Sequence, residues 1–128
     1  MSWQGTIDIS ELDLELPYMR LWVGDLLSDP LVWRMDHEEF GVYMKLLCLS
    51  WKERGVVPAD PKSRAKLLGL TTRKLAALWP SMESKWVSDG NGGLVNPKQE
   101  REREAAIALH LARKSAGAKG GKAKGKQS

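Results

Sequence analysis

Cysteine and histidine are scarce in this chain. One cysteine, Cys48, and two histidines, His37 and His110, stand among 128 residues. That excludes an internal disulfide framework and argues against a structural zinc site, which needs four thiolate or imidazole ligands. Residues 1–16 lack any basic side chain and carry only Asp8, Glu11, Asp13 and Glu15 as charges. A signal peptide needs a basic start, so none is expected here. No apolar run approaches the ~20 residues of a membrane span. These absences lead to the expectation of a cytoplasmic protein with no membrane partner.

The charges that are present fall into three zones. The start is acidic. Residues 17–112 hold 14 basic and 12 acidic side chains and are nearly balanced. Residues 113–128 hold Arg113, Lys114, Lys119, Lys122, Lys124 and Lys126 and no acid. From Ser115 onward nothing apolar exceeds alanine in size, so this stretch cannot bury enough surface to offset the entropy of ordering and is expected to be disordered. Its lysines suit an electrostatic tether to a phosphate backbone; the plainer alternative is a solvated end that aids solubility.

Between Asp60 and Asn96 the pattern is helix, tight turn, helix, hairpin, the order of a winged helix. Asp60-Pro61 is a start signal, an N-cap carboxylate before a proline. Lys62, Arg64 and Lys66 follow, with Ala65, Leu67 and Leu68. Gly69 is a natural stop, and Thr71 can cap the second helix. There Leu75, Leu78, Trp79, Met82 and Trp86 keep the spacing of one buried face. Asp89-Gly90-Asn91-Gly92 supplies the positive φ angles of a hairpin turn.

Upstream, Asp36 and Glu39 form a capping box for an apolar helix. Phe40, Tyr43, Met44, Leu47 and Trp51 share one face, widened by Leu46, Cys48 and Leu49, so this helix is expected at the centre of the core with Cys48 as inert filling. It ends at Gly55. Val56-Val57-Pro58 suits a short strand paired with the hairpin, and Tyr18–Val23 reads as an extended stretch. Asn96-Pro97 with Gln99 starts a last helix, expected to run to about Lys114. Its first half, Glu100 to Glu104, is all charge, with Glu100–Arg103 and Arg101–Glu104 as supporting pairs. Ile107, Ala108, Leu109 and Leu111 then offer a narrow apolar strip for packing on the domain or on a second copy. The expected organisation is an acidic extension over 1–16, a winged-helix-like domain over 17–96, a charged helix over 97–114 and a disordered tail over 115–128. The fold class is mainly α with a small β-hairpin.

Several residues then point to a family. Pro17-Tyr18-Met19, Leu21-Trp22-Val23-Gly24-Asp25, Asp29, Glu39, Gly41, Tyr43, Leu46, Leu47 and Trp51 resemble the YdaU-type domain of phages and prophages. The likeness continues through the basic helix, the Trp79 region and the hairpin ending in Val95-Asn96, and covers about residues 17–98. Arg20 stands where that family commonly has proline. The resemblance implies a winged-helix-like fold, a link to phage DNA replication and a bacterial host cell. Longer relatives continue past a basic Gly/Lys/Ala stretch like that of Lys114–Lys126.

Hidden chemistry is not expected. Asp25, Asp29, Asp36, Glu38 and Glu39 could in principle hold Mg²⁺, but turn, cap and solvent roles account for them. No histidine has a catalytic partner nearby in sequence, Ser50 and Ser63 lack an elbow motif, and no phosphate loop or cofactor motif occurs. The chain reads as non-enzymatic, without metal or cofactor. The outward side of the second helix of the pair is Arg73, Ala77, Pro80, Ser81 and Ser84, flanked by Lys74 and Lys85. That favours phosphate contact over base reading. Lys62, Arg64, Lys66, Arg73, Lys74, Lys114, Lys119, Lys122, Lys124 and Lys126 are the expected nucleic-acid contacts, with DNA the expected ligand. The alternative is a protein-interaction module that docks a replication helicase or its loader.

Overall fold

A computed structural model describes residues 16–127, with side chains to residue 117. The acidic extension therefore lies outside the described residues except for Leu16. Six helices and three short strands make up the rest: α1 Val23–Ser28, α2 Pro30–Arg34, α3 His37–Lys52, β1 Val57–Pro58, α4 Pro61–Leu68, α5 Thr72–Leu78, β2 Val87–Ser88, β3 Gly93–Val95 and α6 Pro97–Gln127. Two 3-10 turns, Trp79–Ser81 and Glu83–Lys85, link α5 to β2. The sheet is antiparallel in the order β1-β3-β2, with Val57 opposite Leu94 and Val87 opposite Val95. A strand ahead of the helix pair that joins the hairpin behind it gives the chain its winged-helix-like form.

Local chemistry fixes most of the boundaries. Asp36 accepts a hydrogen bond from the Glu39 N–H at 2.7 Å, and the Glu39 carboxylate accepts one from the Asp36 N–H at 2.9 Å. This capping box starts α3, which buries Tyr43, Leu46, Leu47, Ser50 and Trp51. The helix closes with Gly55 at φ 90°, its N–H donating to the Ser50 carbonyl at 2.6 Å. Asp60 caps α4 through the Ser63 N–H at 3.0 Å, Gly69 ends it at φ 73°, and Thr71 caps α5 through the Lys74 N–H at 3.0 Å. Leu46 of α3, Val57 of β1, Leu75 of α5 and Met82 are all but sealed from solvent and belong to one core with Val32, Leu68 and Trp86, and Ile107 of α6 is equally buried.

Four expectations change here. Leu75 and Leu78 lie on α5 as expected, but the helix stops there and Met82 and Trp86 reach the core from the following turns. Pro80 lacks the N–H that would continue the helix. Tyr18–Val23 joins no sheet: residues 16–22 have no regular structure and Val23 opens α1. Asp29-Pro30 does more than turn the chain, because Asp29 accepts from the Leu31 N–H at 2.9 Å and caps α2. The capping-box role given to Gln99 is not taken up; its amide donates instead to the Leu47 carbonyl of α3 at 2.7 Å.

The start of α6 is as expected, with the Asn96 side chain accepting from the Gln99 N–H at 3.0 Å. Its backbone continues past Lys114 to Gln127. The expectation of disorder over 115–128 falls mostly on residues whose side chains are not described. No described helix is long and apolar enough to cross a membrane.

Candidate nucleic-acid interface

Helix α4 buries Arg64, Ala65 and Leu68. That orientation leaves Lys62 and Lys66, one turn apart, facing solvent. Helix α5 buries Leu75 and Leu78, and its opposite side exposes Arg73, Ala76 and Ala77. Lys62, Lys66 and Arg73 form no ion pair among the described residues. Lys74 is exposed too, but the Glu38 carboxylate holds it at 2.5 Å. A surface pair of this kind contributes at most ~1 kcal/mol, so a phosphate could displace it.

Arg64 is not part of this surface. It is 3% exposed, and its Nη1 donates to the carbonyls of Pro58 at 3.0 Å and Ala59 at 2.9 Å. Its guanidinium lies 3.9 Å from the centre of the Trp79 ring. Burial lowers its pKa, against the opposing pull of Asp60 and Glu83. The side chain therefore ties the end of β1 to the α4–α5 pair and cannot reach a phosphate. A signal was available: Arg64 lies one turn before Leu68 and next to Ala65, on the apolar side of α4.

The remaining predicted cations belong to α6. Lys114 is exposed, whereas the side chains of Lys119, Lys122, Lys124 and Lys126 are beyond those described. The wing adds no cation. Asp89 Oδ1 accepts from the Asn91 N–H at 2.7 Å and the Gly93 N–H at 2.9 Å, so it shapes the turn. With Ala76, Ala77 and Pro80 beside Arg73, the outward side of α5 has little with which to read base edges.

The acidic residues near the start of the domain are all engaged. Asp25 pairs with Lys98 at 3.0 Å, Asp29 caps α2 and meets Lys85, Asp36 and Glu39 cap α3, and Glu38 holds Lys74. Among the described residues no group of three or more His, Cys, Asp or Glu side chains is placed to hold a metal ion. Cys48 is exposed, contrary to its reading as core. It lies on the flank of α3 beside exposed Lys45 and Lys52, off the face of Tyr43, Leu47 and Trp51.

Two features had no counterpart in the sequence reading. Glu100 and Arg103, read only as a supporting pair in the all-charge first half of the last helix, are 3% and 1% exposed. The Glu100 carboxyl lies against Gly55, where a Cβ would collide with it. Burial pushes its pKa to about 7, despite the attraction of Arg103 and with help from Glu104. The second feature is apolar exposure on the N-terminal segment, at Tyr18, Trp22, Val23, Leu27 and Trp33. The Trp22 indole donates to Glu102 at 2.8 Å, and that of Trp33 donates to the Leu27 carbonyl. Between this segment and the start of α6 lies a cleft of about 390 Å³, whose lining includes Met19, Tyr43, Asn96 and Gln99.

Residues 17–104 match the family described as "Protein of unknown function (DUF1376)". The chain belongs to this family. No curated protein and no solved structure matches it. The DUF1376 span takes in α1 to α5, the sheet and the first turns of α6, including the buried Glu100 and Arg103. It holds Lys62, Lys66, Arg73 and Lys74 as well. The acidic extension and the basic run from Arg113 lie outside the DUF1376 match.

Proposed function

We propose that this DUF1376 protein is a non-enzymatic nucleic-acid-binding protein that grips its ligand, in the first instance DNA, through phosphates. The observation that carries this reading is the set of three solvated cations, Lys62, Lys66 and Arg73, on the outward sides of a winged-helix pair. None is spent on an ion pair among the described residues. The six cations from Arg113 onward, with no acid among them, extend the charge available to a polyanion. Such contacts fix position without carrying sequence information, so binding has little sequence preference. The resemblance to the YdaU-type domain adds the setting, an accessory role in phage or prophage DNA replication within a bacterial host. Fluorescence anisotropy with single- and double-stranded DNA over a salt series tests the reading. It expects affinity that falls steeply with salt and similar values for unrelated sequences.

A second reading draws on a separate observation. Trp33 is 70% exposed, Tyr18 68% and Trp22 55%. Exposed aromatics of this size suit a protein contact, and a replication helicase or its loader is the partner this reading proposes. Recovery of one partner by an intact protein that shows no affinity for DNA at moderate salt would favour it.

A further inference from the structure

The cleft between the N-terminal segment and the start of α6 is floored by polar groups that the fold leaves incompletely bonded. Its volume of about 390 Å³ is at the lower end of the roughly 300–1,000 Å³ typical of small-molecule sites. Tyr43, Asn96 and Gln99 line it and are 6%, 4% and 4% exposed. Gln99 Nε2 donates to the Leu47 carbonyl, but its Oε1 is buried and accepts from no donor among the described residues. A buried acceptor of this kind calls for a donor from an occupant or from water. The side chain beside this amide is Met19, whose flexible thioether is 3.3 Å from Nε2 and is readily displaced. Asn96 directs its oxygen to the Gln99 N–H and its Nδ2 to the Tyr43 hydroxyl, the latter at a long 3.5 Å. That hydroxyl donates to nothing among the described residues, and burial raises its pKa, so it keeps its proton. The floor thus offers one acceptor and one donor.

The mouth has a different chemistry. Of the exposed aromatics Tyr18, Trp22 and Trp33, Trp22 is the one that lines the cleft. Its indole N–H, bonded to Glu102, holds the ring there. The acids of the lining are engaged: Asp25 with Lys98, Asp29 with Lys85 and Glu102 with Trp22. Arg20 and Arg101 line the same cleft, are exposed, and form no ion pair among the described residues. Two uncommitted guanidinium groups suit a phosphate, and an exposed indole suits a flat ring.

We propose that this cleft binds a single unstacked nucleotide, with its base on Trp22, the polar edge of the base toward Gln99 and Tyr43, and its phosphate at Arg20 and Arg101. An unpaired base brings what the floor lacks, since its edge carries both N–H donors and carbonyl or ring-nitrogen acceptors. The nucleotide is either free in solution or one unit of a single strand. The strand form rests on the nucleic-acid reading, and the free form does not.

Proton–nitrogen correlation NMR of the full chain tests the proposal, with the Trp22 indole N–H and the Gln99 side-chain amide as reporters. Deoxynucleoside monophosphates, a short single-stranded oligonucleotide and inorganic phosphate are titrated separately. Shifts of both reporters with the monophosphates are the expected result. If the strand saturates the same shifts at lower concentration, the occupant is a unit of single-stranded DNA; if the monophosphates alone produce them, it is a free nucleotide. Trp22→Ala, read at Gln99, should weaken binding on the order of tenfold, and Trp22→Phe, which keeps a ring, should restore most of it. Arg20→Glu/Arg101→Glu should weaken the monophosphates more than the uncharged nucleosides. Unmoved reporters with every probe, the same shifts with inorganic phosphate alone, or undiminished binding in Trp22→Ala would overturn the proposal. The two readings fail separately: monophosphate binding by a protein without DNA affinity sinks the nucleic-acid reading alone, and salt-dependent DNA binding with both reporters unmoved sinks the cleft alone.

Discussion

Glu100→Gln is the substitution whose effect the structure specifies most fully. The side chain is 3% exposed and its pKa is raised from 4.5 to about 7 by burial, which overcomes the attraction of Arg103, with a smaller push from the repulsion of Glu104. The folded state therefore favours the neutral acid. Stability from this group is fully present below pH ~4.5, falls as pH rises toward 7 and levels off above it. At about 1.4 kcal/mol per pKa unit the loss across that window is about 3 kcal/mol. Glutamine keeps the shape and cannot ionise, so the variant should match the wild type near pH 5. By pH 8 it should exceed the wild type by up to about 3 kcal/mol, a figure that already includes the attraction of Arg103 for the ionised form. Asp29 and Asp60 do not confuse the comparison. Asp29 is held below its ordinary value by Lys85 and backbone hydrogen bonds that outweigh its desolvation, and Asp60 by hydrogen bonds from Ser63, so both lose stability only toward strong acid. Urea melts of both proteins from pH 5 to 8.5 give the difference directly. Parallel curves, or a wild type that gains on the variant as pH rises, would show that Glu100 is ionised and well paired in the fold.

Arg64→Ala leaves the Pro58 and Ala59 carbonyls short of a donor and removes the stack on Trp79. It should cost on the order of 2–4 kcal/mol in a denaturant melt and leave DNA affinity unchanged while the protein is folded. Trp79→Ala should cost about 2 kcal/mol, below the ~3–5 of a fully enclosed aromatic, because the ring is only half-buried under Arg64. Gly55→Ala brings a Cβ into the Glu100 carboxyl at a φ of 90°. It should lower the midpoint of thermal unfolding by more than a Gly→Ala change at Gly24, where the added carbon meets nothing.

What could be read in the sequence was what short-range chemistry decides. Asp36, Asp60, Thr71 and Asn96 each cap the helix they were expected to cap, since a cap needs only its own three or four neighbours. The strand Val57–Pro58 and the hairpin were legible for a similar reason: their turn residues have few alternatives. The short helices α1 and α2 were not, because six and five residues give no periodicity to count. The burial of three charged side chains was not legible either. Arg64 was placed on the surface by its type and is buried against Pro58, Ala59 and Trp79, and Glu100 and Arg103, whose pairing was expected, are buried where α6 packs on α3. At the candidate interface, the same pattern that placed Lys62, Lys66 and Arg73 outside had already placed Arg64 on the apolar side of α4. Its type outweighed its position in the reading.

The central claim is phosphate contact, and the salt dependence of DNA binding tests it most directly. Affinity should be measured from low to moderate salt for the full chain, for a chain lacking residues 115–128, and for the Lys62→Glu/Lys66→Glu/Arg73→Glu variant. If the account holds, the logarithm of the binding constant falls linearly with the logarithm of salt. The truncated chain then loses up to ~0.9 of slope per phosphate contact removed from duplex DNA. The charge-reversed variant weakens to a similar degree on unrelated sequences. No measurable affinity in any of the three proteins at low salt, or a sharp sequence preference abolished by Arg73→Ala alone, would contradict it.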